Sequence, residues 1–376
     1  MNFELGEDQA MLKALIERFA EDAYDVEKRR SYLREPHGFA AKNWDLLGEL
    51  GVLSATAPEE LGGLGMGRID LAVIHEALGF ALVVEPVLES QIAAGALLHG
   101  DTSETLRADW AEPVVAGQKR VALAHAEAQG RGNRARIATK AERDGDAWRL
   151  DGTKPFVVAG AGADAFLVSA SGASEAGNAD GWDLFLVPAD ADGVTTTIWT
   201  MADGSKAVSL ELDGVRVGDD MRLADGVVRL ASVAPLASLA RSAEMIGIME
   251  RLMADTLDYL RQREQFGQAL GSFQALQHRM VDHYAALVQG RALLELALVA
   301  DDEGLAEATD GARAFIAQAA LELGHDAIQF HGGMGVTDEL AIAWGHKRLL
   351  VLSRWPDDAT AALDRFADAA AMRAAA

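Results

Sequence analysis

The hydrophobic period changes twice along this chain, and that pattern restricts the fold more than any single residue does. Over residues 1–110 apolar side chains recur at helical spacing. Met11, Leu12, Leu15, Ile16 and Phe19 form one series, and Trp44, Leu46, Leu47 and Leu50 form another that stops at Gly51. A further helix is predicted over 68–82. From about Val121 the apolar residues fall into short alternating or continuous runs around Trp148, Leu150, Phe166, Val168, Leu184 and Leu186. Asp144-Gly145 and Asp151-Gly152 have the composition of hairpin turns. After about Asp225 helical spacing returns. Long helices are expected over 240–265 and, with Ser272 as N-cap, through Phe273, Leu276, Met280, Tyr284, Leu287, Leu294 and Leu298. Others are expected near 309–329, 338–353 and 359–374. The pattern predicts an α+β protein: an N-terminal helical domain over 1–118, a small β-barrel-like domain over 119–225 and a C-terminal helix bundle over 226–376.

A chain of 376 residues, 50 % of them hydrophobic, can bury a sizeable core in several domains. No run reaches the roughly 18 uninterrupted apolar residues of a membrane span, and the first residues lack a basic start before an apolar stretch. The expected location is cytoplasmic. With no cysteine, disulfides, thiolate metal sites and cysteine nucleophiles are excluded. The nine histidines show no His-Glu-x-x-His pattern for a metal. A formal charge of −24 repels nucleic acid and anionic membranes, although a local arginine at short range can still bind an anionic cofactor. No Gly-x-Gly-x-x-Gly follows a strand, and neither a P-loop nor a Gly-x-Ser-x-Gly elbow is present.

Three segments suit pyrophosphate recognition: Arg-Gln-Arg-Glu-Gln-Phe-Gly at 261–267, Gly-Ser-Phe-Gln at 271–274, and Gln-Phe-His-Gly-Gly-Met-Gly at 329–335. A guanidinium beside a glycine turn, and a carboxamide beside paired glycines, present cationic and N–H donors without obstruction. Each taken alone reads as an ordinary helix end, with a basic last turn or a glycine stop. In order, spacing and wording they resemble the acyl-CoA dehydrogenase family, flavoproteins that desaturate acyl-CoA thioesters between the α and β carbons. Pro58-Glu-Glu-Leu-Gly-Gly-Leu-Gly, a glycine loop that lets helices pack closely, matches a further family segment. The resemblance implies FAD as cofactor, with Arg263, Phe266, Gln274, Gln329, Gly332 and Gly333 holding its pyrophosphate and adenine end across a dimer interface. It also implies an acyl-CoA substrate and an electron-transferring flavoprotein as redox partner.

Two other family segments are altered. The flavin loop, Thr-Glu-Pro-Gly-Ala-Gly-Ser-Asp in the family, is Ala126-Glu-Ala-Gln-Gly-Arg-Gly-Asn133 here, without either hydroxyl. The Lys-x-Trp-Ile-Thr segment is Lys154-Pro-Phe-Val-Val158, which leaves Phe156 to stack but no hydroxyl at Val158. Removing the α-proton requires a carboxylate base, yet the family's usual glutamate position falls at Pro356 and the alternative one at about Ala237. Asp357, Asp358 and Glu244 are the neighbouring carboxylates. These features, with 24–36 and Val83-Val-Glu-Pro86, resemble the small subunits of two-component enzymes such as pimeloyl-CoA dehydrogenase. The resemblance implies a heterotetramer in which a paralogous chain supplies the base. A homo-oligomer with a relocated base and a flavin-free scaffold of the same fold are the alternatives.

Overall fold

The computed structural model describes residues 5–128, 136–172 and 181–375. In chain order the helices are α1 (Glu7–Ala23), α2 (Val26–Tyr32), α3 (Ala41–Glu49), α4 (Arg68–Phe80), α5 (Val87–Leu98), α6 (Glu104–Leu106) and α7 (Glu112–Val115). Eight strands follow: β1 (Val121–Ala124), β2 (Lys140–Asp144), β3 (Ala147–Val158), β4 (Ala165–Ser171), β5 (Trp182–Pro188), β6 (Val194–Thr200), β7 (Lys206–Gly218) and β8 (Arg222–Leu223). Helix α8 (Gly226–Gln262), the short strands β9 (Glu264–Gln265) and β10 (Gln268–Ala269), then α9 (Gln274–Leu298), α10 (Leu305–His331), α11 (Ala341–Leu352) and α12 (Ala359–Ala375) complete the chain. This is the predicted succession of helices, sheet and helices. Among the described residues no helix is long and apolar enough to cross a membrane, and no cluster of His, Asp and Glu could hold a metal ion.

The chain packs as two compact units, each drawn from separated stretches: the described parts of 1–31, 67–83 and 235–376 form one, and 32–66 with 84–234 the other. The second unit is built on one eight-stranded sheet. Its strands run in the order β6-β7-β3-β2-β4-β5-β8, with β1 added parallel to β4. Alternation along β3 and β7 puts Trp148, Leu150, Val157, Val208, Leu210, Leu212, Val215 and Val217 into one core with Phe166, Val168, Phe185 and Val187. The opposite face of β4 and β5, through Leu167, Leu184 and Leu186, is covered by Ala93, Ala96 and Leu97 of α5 and by Leu106, Val114 and Val115. The two Asp-Gly steps diverge. Asp144 and Ala147 close the β2–β3 hairpin as predicted. Asp151-Gly152 instead lies inside β3, where the register against β7 shifts and the Asp151 carboxylate accepts the Gly214 N–H at 2.8 Å. A long partner strand on the far side overrides the local turn preference there.

The first unit is a helix assembly around α8. Helix α8 begins well before the expected residue 240 and runs through Pro235. Its residues Leu239, Ala240, Ala243, Met245, Ile246, Ile248, Met249 and Leu252 are buried. Helix α4 crosses it at a point where backbones nearly touch: a Cβ at Gly79 would lie 2.3 Å from the Glu244 carbonyl oxygen, and one at Gly247 2.0 Å from that of Glu76. Both sites therefore exclude any side chain. Helix α9 packs through Met280, Leu287, Gly290, Leu294 and Ala297, whereas Tyr284, expected on the same face, is exposed. Ser272 is not its cap either, since its hydroxyl donates to the Ala269 carbonyl and Phe273 occupies the N-cap position.

Candidate functional site

After α8 ends at Gln262 the chain folds into a miniature hairpin. Gln265 pairs with Gln268 and Glu264 with Ala269 around a two-residue turn, Phe266-Gly267, and the Leu270 N–H returns to the Arg263 carbonyl at 2.8 Å. Both turn residues have positive φ, +56° and +80°. This mirror-type turn suits the twist of adjacent strands and normally selects Asn or Gly at its first position. Phenylalanine in that left-handed conformation costs about 1–2 kcal/mol. The strained side chain is not compensated by burial: Phe266 is 90 % exposed, with the Phe273 ring 6.2 Å away at 90°. Gln274 then opens α9.

The end of α10 lies beside these segments. His331 stacks on Tyr259 of α8 with ring centroids 4.3 Å apart, while its Nδ1 lies 2.7 Å from the Ala327 carbonyl oxygen. The Arg279 guanidinium of α9 sits 4.7 Å from the Phe330 ring centroid. Gly332 caps α10 with φ +60° and ψ −139°, a conformation essentially confined to glycine, and donates its N–H to the Gln329 carbonyl. A Cβ at Gly332 or Gly333 would find no atom within 4 Å, so open space lies against bare backbone. Arg263, Gln274 and Gln329 are exposed, and among the described residues their side chains have no hydrogen-bond or ion-pair partner. Their neighbours differ: Gln265 and Gln277 are tied to the carbonyls of Glu264 and Gly271. The structure thus brings the three predicted segments together and leaves one guanidinium, two carboxamides and glycine backbone available to an anionic ligand.

The altered segments lie on the sheet unit. Phe156 of β3 faces Trp199 of β6 with ring centroids 5.0 Å apart, and Val158 pairs with Ala207 across β7. Ala126 is described, whereas 129–133, including Gly132, lies outside the described residues. Between these segments sits a buried polar cluster that sequence reading did not single out. Lys154 Nζ, with its side chain 0 % exposed, donates to Glu127 Oε1 at 2.6 Å and to Ser169 Oγ at 2.9 Å. Glu127 also accepts the Thr139 hydroxyl at 2.6 Å, the Thr139 N–H at 3.0 Å and the Ala138 N–H at 2.6 Å. Burial pushes the Lys154 ammonium down to about 8 against the opposing pull of Glu127. Burial raises the Glu127 carboxyl, but hydrogen bonds and charge from Lys154, with the bonds from Thr139, outweigh it and hold the group below its usual range. A lysine 27 positions from a glutamate carries no sequence signal of pairing, nor does the separation of Phe156 from Trp199.

None of the carboxylates near the family's base positions is free. Asp357 accepts Arg365 Nη1 at 2.6 Å and Arg313 Nε at 3.3 Å. Asp358 caps α12 through the Ala361 N–H at 3.0 Å. Glu244 is buried and clamped by Arg348, whose Nε and Nη2 lie 2.7 and 3.2 Å from its two oxygens. Ala237 is buried and Pro356 has no ionisable group.

Comparison with known proteins places this geometry. The acyl-CoA dehydrogenase N-terminal domain matches residues 6–118, the middle domain 122–215 and the C-terminal domain 234–375. Acyl-CoA dehydrogenase FadE27 of Mycobacterium tuberculosis is 32 % identical over 89 % of this chain and 90 % of its own length. Among solved structures, a variant of the Tcur3481-Tcur3483 steroid ACAD is 31 % identical with a TM-score of 0.88, covering 99 % of this chain and 100 % of that one. The ChsE4-ChsE5 complex from Mycobacterium tuberculosis is 30 % identical with a TM-score of 0.89, covering 99 % of both. With three successive domain models matched along nearly its full length, the chain belongs to the acyl-CoA dehydrogenase family.

Proposed function

We propose that this chain is the small, non-catalytic subunit of a heteromeric acyl-CoA dehydrogenase, a heterotetramer in which it contributes half of an FAD site to a paralogous partner. FAD is the family's cofactor, and the residues present fit one end of it. Arg263, Gln274 and Gln329, which have no side-chain partner among the described residues, and the open backbone of Gly332 and Gly333 together make a donor set suited to a pyrophosphate. Phe266, exposed at a strained turn, would cover the adenine end. When bound, FAD accepts the hydride that leaves the β-carbon of the acyl group. The residues at the ring end fit it poorly: Phe156 is paired with Trp199, and Val158 offers no hydrogen bond.

The observation that carries this reading is the state of the carboxylates. A general base must present an oxygen to the α-proton, and a carboxylate whose oxygens already accept guanidinium N–H groups is oriented by them and not by a substrate. Glu244 is clamped by Arg348 and Asp357 by Arg313 and Arg365, while Asp358 is spent on a helix cap. The proton abstraction therefore falls to a glutamate of the partner chain. The likeness to a steroid ACAD and to the ChsE4-ChsE5 complex supports a two-chain assembly and a steroid-bearing acyl-CoA as its substrate. Electrons then leave to an electron-transferring flavoprotein in the cytoplasm.

The test is flavin stoichiometry. The chain purified alone should release far less than one FAD per polypeptide, and co-purification with the paralogous chain should raise the yield to one FAD per pair. One FAD per chain in the isolated protein, with dehydrogenase activity lost in one of Glu244→Gln, Asp357→Asn or Asp358→Asn, would establish a homo-oligomer with its own base. No FAD in either preparation would leave a scaffold.

A further inference from the structure

We infer that Asp326 is a positioning residue: with Arg279 and His283 it fixes the spacing between Gln274 and Gln329, and through it the affinity for FAD. This rests on the reading of Arg263, Gln274 and Gln329 as the FAD grip. Gln274 is the first residue of α9 and Gln329 lies in the last turn of α10. Helix ends are where packing constraints are weakest and fraying begins. Two glutamines on separate helix ends recognise one rigid pyrophosphate only if the ends are locked together. Charge-assisted hydrogen bonds to a rigid anion weaken steeply once donors move outside their short distance range, so the placement of the two ends sets the affinity.

The lock is visible at that end of the helix pair. Asp326 lies on α10 one turn before Gln329. Its Oδ2 accepts Arg279 Nε at 2.9 Å and lies 2.8 Å from His283 Nε2, and its Oδ1 accepts Arg279 Nη2. Arg279 and His283 are four residues apart on α9, one and two turns beyond Gln274, so a single carboxylate ties successive turns of the facing helix. The two-point guanidinium contact fixes orientation as well as distance. The same guanidinium lies over Phe330, the residue after Gln329. His331 then stacks on Tyr259, one turn before Arg263, so the third part of the grip is held from the other side. Further along, α9 packs against α10 where Gly290 meets Ile316. The clamp adds geometry where the helices approach the grip. Asp326 touches neither substrate nor cofactor in this role.

The experiment measures the dissociation constant of FAD by flavin fluorescence, together with thermal stability, on the protein in its FAD-binding assembly, co-purified with the partner chain. Arg263→Ala and Gln329→Ala serve as direct-contact variants. Asp326→Asn is expected to weaken FAD about tenfold or more while Tm changes little. Arg279→Lys, which keeps the charge but loses the fork and the stacking, should do the same. An Arg279→Met/Asp326→Leu double variant separates positioning from stability, because apolar replacement of a paired charge can preserve stability without restoring its geometry. It should keep the Tm and still bind FAD weakly. Wild-type FAD affinity in Asp326→Asn or in the apolar double variant, with Arg263→Ala weakened, would overturn the positioning role. Unchanged affinity in both Arg263→Ala and Gln329→Ala would instead overturn the grip itself. If Asp326→Asn does not fold, the exposed Arg279→Lys site decides the matter alone.

Discussion

The buried Glu127–Lys154 pair makes a quantitative prediction about single and double substitution. Lys154→Met removes the ammonium and leaves a carboxylate that is 1 % exposed, held by three donors from Ala138 and Thr139. An uncompensated buried charge costs about 3–5 kcal/mol, and the three remaining hydrogen bonds place this variant near the lower figure. Glu127→Gln behaves differently because the lysine can lose its proton. With Glu127 present, the Lys154 pKa is about 8. Without it the value falls further, while the unfolded chain keeps the ordinary value of about 10.5. Below pH 8 the wild-type native state binds a proton that the variant's native state does not. The variant therefore loses stability relative to wild type as pH falls, by up to about 1.4 kcal/mol per pH unit. Expected penalties are about 1–2 kcal/mol at pH 8 and about 3–4 kcal/mol at pH 6. The Glu127→Gln/Lys154→Met variant carries no charge but keeps only one acceptor oxygen, so either Ala138 or Thr139 faces the amide NH2; its penalty should be about 1–3 kcal/mol, well below the sum of the singles. Urea unfolding followed by tryptophan fluorescence suits the measurement, since Trp44, Trp110, Trp148, Trp182 and Trp199 all belong to the sheet unit. A Glu127→Gln penalty equal at pH 6 and pH 8, or a double variant as unstable as the sum of the singles, would refute the reasoning.

Phe266→Gly relieves a left-handed phenylalanine and should raise stability by about 1 kcal/mol while weakening FAD in the assembled enzyme; thermal melts and FAD titration should move in opposite directions. Gly247→Ala places a methyl 2.0 Å from the Glu76 carbonyl oxygen, so the purified chain should unfold several degrees earlier, and a wild-type melt would show that α4 and α8 can separate cheaply. Burial and the neighbouring His325 push the His346 imidazole down to about 4. Its contribution is present above pH 6.5 and is lost as pH falls toward 4, at most about 3 kcal/mol, so acid unfolding of His346→Phe should be shallower across that window. Glu244→Gln should lower stability without lowering FAD content, since the Arg348 guanidinium then faces a neutral amide in place of a carboxylate, at a position on α8 well before Arg263.

The succession of helices, sheet and helices was legible because periodicity reports the geometry of buried faces directly, as Leu150, Leu210 and Leu287 show. That the segments at 261–267, 271–274 and 329–335 lie at helix ends was legible because glycines beside polar residues interrupt the apolar period. Features that depend on the other side of a contact were not. Asp151-Gly152 has a turn's composition but lies within β3 because β7 pairs past it. Tyr284 fits the apolar face of α9 by spacing, yet Gly290 and Ala297 make the close contacts. Arg348 gives no hint in sequence that it clamps Glu244, and Lys154 gives none that it meets Glu127. Such pairs are decided by tertiary approach between residues distant in the chain.

The glycine crossing of α4 and α8 also has a consequence for the chain's birth. Gly79 must wait for Glu244, about 165 positions later, to leave the ribosome. At about 5–20 residues per second that is an interval of roughly 10–30 s. During it α4 can pack against α1 but lacks the backbone of α8 that Gly79 meets in the finished protein. The nascent chain then carries α1 and α4 without α8, while the residues of the sheet unit between α4 and α8 emerge. A chain of which residues up to Asp225 have left the ribosome, but Gly247 has not, should thus hold a complete sheet unit while α4 still waits for α8, the form on which a holding chaperone would act.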